Sequence, residues 1–104
     1  MSEAAEVIVE FSFSGKVWYW RGPAPFFFVS VPEAECDDIH LIANDVTYGW
    51  GMIPADVTIG DTTWYTALWP KDGGYIVPLK KWVRDAEQIE LDDEVEVALT
   101  IRGA

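Results

Sequence analysis

Apolar and polar positions alternate from Val7 to Ser14, with Val7, Val9, Phe11 and Phe13 on one side and Ile8, Glu10, Ser12 and Ser14 on the other. A period of two predicts a strand with one covered face. Gly15-Lys16 then reads as a tight turn into a second strand, Val17 to Arg21. "GPAP" (Gly22 to Pro25) interrupts it, because Pro23 and Pro25 have no N–H to give to a ladder. Phe26 to Val31 is apolar without alternation, which predicts a strand buried on both faces or covered by a partner. After Pro32, "EAECDDIHLIAN" reads as a helix. Glu33, Glu35, Asp37 and Asp38 lie where the dipole favours negative charge; Cys36, Ile39 and Ala43 form a narrow apolar stripe, and Leu41 and Ile42 close the last turns.

The second half follows the same order. Ala55 to Ile59 predict a strand, Gly60-Asp61 a turn and Thr62 to Leu68 the next strand. "PKDGG" (Pro70 to Gly74) reads as a break, Tyr75 to Val77 as extended, and Leu79 to Ala86 as a helix with Leu79, Trp82, Val83 and Ala86 facing the core. A final strand, Glu94 to Ile101, buries Val95, Val97, Leu99 and Ile101. Pro54 must sit at a strand start, an edge or a bulge. At an offset of 46 residues, Trp18-Tyr19 falls on Trp64-Tyr65 and Val31-Pro32 on Val77-Pro78. The expectation is an internal duplication, with pseudo-repeats at about 6–46 and 52–102, because pairing two such halves covers the edge and apolar face that each leaves open alone.

The run Trp64 to Arg84 and the segment Ile89 to Val97 add a resemblance. Phe11-Ser12-Phe13, then Phe28 to Pro32, then Tyr75, Pro78, Lys80 and Arg84 resemble the pattern of a bacterial family catalogued as domain of unknown function nineteen-oh-five. Asp92-Asp93 departs from that pattern, which has Gly-Asp before the last strand; an Asp keeps such a turn at some cost. The resemblance implies a single-chain double-split β-barrel, mainly β with two short helices capping it, similar in shape to the AbrB, MazE and MraZ group. One chain then supplies both halves, and a monomer is expected. Members sometimes precede a bacteriocin-protection-like domain, and the expectation is that this chain works without one.

Composition narrows the functional classes. The chain has 104 residues, half of them apolar, so one domain with a real core is expected. Its 18 acids against 7 bases give a formal charge of −11, which opposes binding to phosphate backbones or anionic membranes. Cys36 is the single cysteine, so no intrachain disulfide forms, and with no basic leader or long apolar run a cytoplasmic protein is expected.

Lys71, Lys80, Lys81 and Arg84 bring four of the seven cations into fourteen residues with one acid, Asp72. Lys80 and Arg84 are four apart and share a helix face near its N-terminus, where free N–H groups favour an anion. With Trp64, Tyr65 and Trp69 as walls, Lys71, Lys80 and Arg84 make a candidate pocket for a small anionic or aromatic ligand. The plainer reading, a solvated helix face in an acidic protein, is preferred. Trp82, Trp18 and Trp64 read as core, and Trp20, Trp50 and Trp69 as surface candidates. His40 has no partner that makes a zinc site or a catalytic pair, Cys36 reads as core, and Asp92 to Glu96 lack a calcium-loop spacing. No catalytic residue, cofactor or metal is expected. The leading expectation is a non-catalytic module for a small ligand or a protein partner; the alternatives are a nucleic-acid-binding protein by fold analogy and an enzyme of unrecognised type.

Overall fold

The computed structural model describes residues 7–21, 26–46 and 51–102. Seven strands and two helices follow in the order β1 (Val7–Lys16), β2 (Trp18–Trp20), β3 (Phe26–Ser30), α1 (Glu33–Val46), β4 (Ile53–Ile59), β5 (Thr62–Lys71), β6 (Gly74–Leu79), α2 (Lys81–Glu87) and β7 (Glu94–Arg102). "GPAP" and Trp50 lie outside the described residues, as does the side chain of Ala43. The protein is mainly β, with every strand pairing antiparallel, in the order β1-β7-β4-β5-β6-β3-β2.

That order makes the sheet curl. β1 and β2 stand at opposite ends of it, yet Val17 alone separates them in the chain. The two ends must therefore come round to each other, and the result is a curled half-barrel. Gly15 marks the closest approach: a Cβ there would lie 2.5 Å from Val29 Cγ1, so only glycine lets β1 rest on β3. β5 bridges the two ends, pairing with β4 through Thr62 to Leu68 and with β6 through Trp69 to Lys71.

Gly15-Lys16 is not the turn that the sequence leads one to expect. Gly15 pairs with Val95 and Lys16 with Glu94, and the ladder continues as Val17 N–H donates to Asp93 O at 2.9 Å and Asp92 N–H to Val17 O at 2.9 Å. β7 offers β1 a partner along its length, so a hairpin with β2 has nothing to gain. The halves of the chain differ here, since β4 and β5 do form the hairpin around Gly60-Asp61. "PKDGG" is not a break either: Pro70 and Lys71 stay in β5, and Asp72 (φ 53°) and Gly73 (φ 82°) turn directly into β6. Two consecutive positive φ values are what a two-residue hairpin loop requires. Asp92 has φ 70°, so the position where the resembled family places glycine does demand a left-handed residue.

Val57, Val97, Leu99 and Ile101 from β4 and β7 join Val29, Val77 and Leu79 from the other end in one core inside the curl. Pro54 pairs with Ala67 near the start of β4, before β7 joins at Asp56, and so withholds no ladder bond on that side. Cys36 and Ile39 anchor α1, Pro32 O accepting from Cys36 N–H at 2.9 Å, while Leu41 is 83% exposed. In α2 Val83 is buried but Trp82 points out at 53% exposure, and Ala86 is exposed too. The sequence stripe overreached because Leu79 ends β6 rather than starting the helix, leaving only seven helical residues and a narrow buried face.

Candidate functional site: an outer aromatic face and its cleft

β3 is where the apolar pattern exceeds what a core can use. Val29 faces inward with Val77 and Leu79, whereas Phe28, its neighbour, faces outward; both are fully buried. Register explains how. Trp18 stands opposite Phe28 and Trp20 opposite Phe26 on the outer side, with Tyr19 opposite Phe27 on the inner one. Trp69 reaches the same outer surface from β5, across β6. The Phe28 ring lies 5.1 Å from Trp18, 5.1 Å from Trp69, 6.2 Å from Trp20 and 6.1 Å from Phe26, and Phe26 meets Trp69 edge-on at 5.5 Å. Tilted and edge-to-face pairs at such separations contribute about 0.5–1.5 kcal/mol each beyond area burial. The centre of this cluster is dry, but its rim is open: Trp20 is 43% and Phe26 42% exposed. Lys71 Nζ sits 5.4 Å from the Trp20 ring centroid.

Beside this face lies a cleft of about 410 Å³. Its sheet wall is Trp18, Ser30, Val31 and Ile76; α1 contributes Glu33, Cys36 and Asp37; the β5–β6 hairpin closes the far side from Lys71 to Tyr75. Trp18 Nε1–H donates to Ser30 Oγ at 3.0 Å, which holds the indole at the cleft edge. The Cys36 thiol donates to Val31 O at 3.4 Å, and a Cβ on Gly74 would lie 3.2 Å from its sulfur, so the hairpin packs against the helix through a glycine. Burial pushes the Cys36 thiol above its ordinary 9.0, helped by the charges of Asp37, Glu35 and Glu33 and opposed by a backbone hydrogen bond from Tyr75. Tyr75 is raised above 10.0 by burial and then by Cys36. Lys71 is paired with Asp72 at 3.0 Å.

The residues expected to form an anion pocket are dispersed. Trp64 is 4% exposed, opposite Val57 in the core, and its Nε1–H has no partner among the described residues. It therefore walls no open site. Arg84 is committed elsewhere: its guanidinium lies 4.0 Å over the Phe27 ring on the inner face and Nε–H donates to Leu79 O at 3.2 Å. Lys80 is exposed and serves α2 through its backbone, Lys80 O accepting from Val83 and Arg84 N–H at 3.0 Å. Lys81 pairs with Asp85 at 2.8 Å. Of the five candidates, Trp69 joins the aromatic face and Lys71 lines the cleft. Sequence reasoning missed Trp18, Phe26, Phe28 and the acids of α1 as neighbours. The usable signal was "FFF" facing "WYW", two apolar runs with no polar alternate.

Among the described residues no group of three or more His, Cys, Asp or Glu side chains is placed to hold a metal ion, and no helix is long and apolar enough to cross a membrane. The family described as Domain of unknown function (DUF1905) matches residues 13–99. No curated protein matches the chain.

Proposed function

The chain belongs to that family of unknown function, and from its geometry we propose that it is a non-catalytic binding module working through the outer aromatic face and the adjoining cleft. One observation carries the reading. Trp20 and Phe26 remain more than two-fifths exposed although Phe28 beneath them is fully buried. A contiguous, ordered aromatic surface left open in an acidic protein is the usual mark of a contact site. A cleft of about 410 Å³ is also in the range of small-ligand sites.

The curl supports a further structural reading, in which the chain is a one-chain relative of the double-split barrels and its two β-β-β-α halves descend from a duplicated unit. Nucleic-acid binding by that analogy has little support, because Lys71, Lys81 and Arg84 are already engaged by Asp72, Asp85 and Phe27.

A thermal-melt screen of the chain against aromatic, sugar and charged small molecules tests the proposal, run beside Trp20→Ala and Phe26→Ala. A ligand present at a hundred times its Kd adds about 2.7 kcal/mol, a shift of several degrees in a domain of this size. The shift is expected to disappear in both variants. A ligand bound equally well by both variants would remove the aromatic face from the account.

A further inference from the structure

Building on the binding-module reading, we propose that the cleft beside Trp18 takes a small organic cation, an alkylammonium or guanidinium group, rather than the anion that the basic segment of the sequence leads one to expect. Three observations converge. The first is charge. Glu33 and Asp37 are four apart on α1 and both line the cleft, while the single cation in the lining, Lys71, is already neutralised by Asp72 at 3.0 Å. Among the described residues neither Glu33 nor Asp37 meets a basic side chain.

The second is the chemistry of the aromatic wall. On this outer face a cation already lies near an indole: Lys71 Nζ is 5.4 Å from the Trp20 centroid. Ring faces attract ammonium and guanidinium groups through their quadrupole, most strongly for indole. Trp18, fixed by its bond to Ser30, offers a further indole to a cation in the cleft.

The third is the response of the thiol inside the cleft. Burial first, and then the carboxylates of Asp37, Glu35 and Glu33, hold Cys36 away from its anionic form; the carboxylate part of that effect disfavours a negative group in the cleft and favours a positive one. The positive end of the α1 dipole does not reverse this, because Glu33 and Glu35 already occupy its first turn. The volume suits a molecule of a few heavy atoms with one charged head against the helix and a stem along the sheet.

Calorimetric titration of the whole chain with agmatine, glutarate, benzyl alcohol and an arginine tetrapeptide tests this. Agmatine is expected to bind, and more weakly as salt rises. Glu33→Gln/Asp37→Asn should weaken it roughly fivefold, and Lys71→Gln, which releases the Asp72 carboxylate into the cleft, should tighten it about twofold. The opposite signs of the two variants separate an electrostatic site from a loss of fold. Binding of glutarate or benzyl alcohol without agmatine would overturn the cation proposal and leave the binding module standing. Binding of the tetrapeptide alone would make the occupant a protein segment and overturn the small-molecule proposal. Silence from all four would overturn the cation proposal and leave the binding module to be decided by the melt screen.

Discussion

The two ends of the curled sheet use apolar residues differently. At the end formed by β1, β7, β4 and the first part of β5, burial alternates strictly. β4 is buried at Ile53, Ala55, Val57 and Ile59 and half-open between them. Its outer side is polar, with Thr58 and Thr63 sharing a hydrogen bond at 2.8 Å and Asp56 accepting from Arg102 Nε–H at 2.9 Å. At the end formed by β2, β3 and β6, side chains are apolar on both sides, and the outer side is built from tryptophan and phenylalanine. A sheet needs one covered face to be stable. A second apolar face is an addition, and its rim is where the proposed binding function would act.

The largest expected effects test whether the two ends share one core. Leu99→Ala, in the aliphatic end, should lose about 3 kcal/mol in urea denaturation, and Phe28→Ala, at the centre of the aromatic end, a similar 3–4 kcal/mol, since both are buried. A Phe28→Ala cost near zero would show the aromatic face to be decoration. Next comes the contact between the ends. Gly15→Val must push a Cβ into Val29, at a cost of about 2 kcal/mol. If Gly15→Val folds with wild-type stability, the ends do not meet as described. Smaller again, Trp20→Ala on the exposed rim should stay within about 1 kcal/mol of wild type while abolishing ligand shifts.

The gentlest effect is a pH slope. The groups with raised values are Tyr75 on β6 and Cys36 on α1, whose sulfur packs beside Gly74 of that strand. An acid whose folded value is raised holds its proton longer when folded, so its contribution is complete below the unfolded value and is lost as pH climbs through the folded one. Stability should therefore be flat up to about the thiol's ordinary 9.0 and decline above it. Cys36→Ser should flatten the first part of that decline; an unchanged slope in this variant would leave Tyr75 as its source.

Much of this architecture was legible. Strand identity followed from alternation in Val7 to Ser14 and Glu94 to Ile101, and burial on both faces of β3 from the unbroken Phe26 to Val31 run. Strand ends were less so, because a proline or glycine marks a turn only when no neighbour is waiting: Gly15 and Pro70 stay in strands that have partners. The candidate site was largely illegible. Lys80 and Arg84 are close in sequence and share a short helix, yet Arg84 is drawn inward by Phe27, 57 residues away in the chain. Trp64 and Trp69 sit on one strand, five positions apart, and end in the core and on the outer face respectively.

By itself the sequence determined that the protein is β-rich with two helices and which side of most strands is apolar. These are properties of a residue and its near neighbours. Only the tertiary structure decided that β1 pairs with β7 instead of β2, that Trp18, Phe28 and Trp69 share one surface, and that Glu33 and Asp37 face a cleft behind the hairpin. Those outcomes depend on which distant strand satisfies an open edge, and that competition is settled between whole segments of the chain rather than within any one of them.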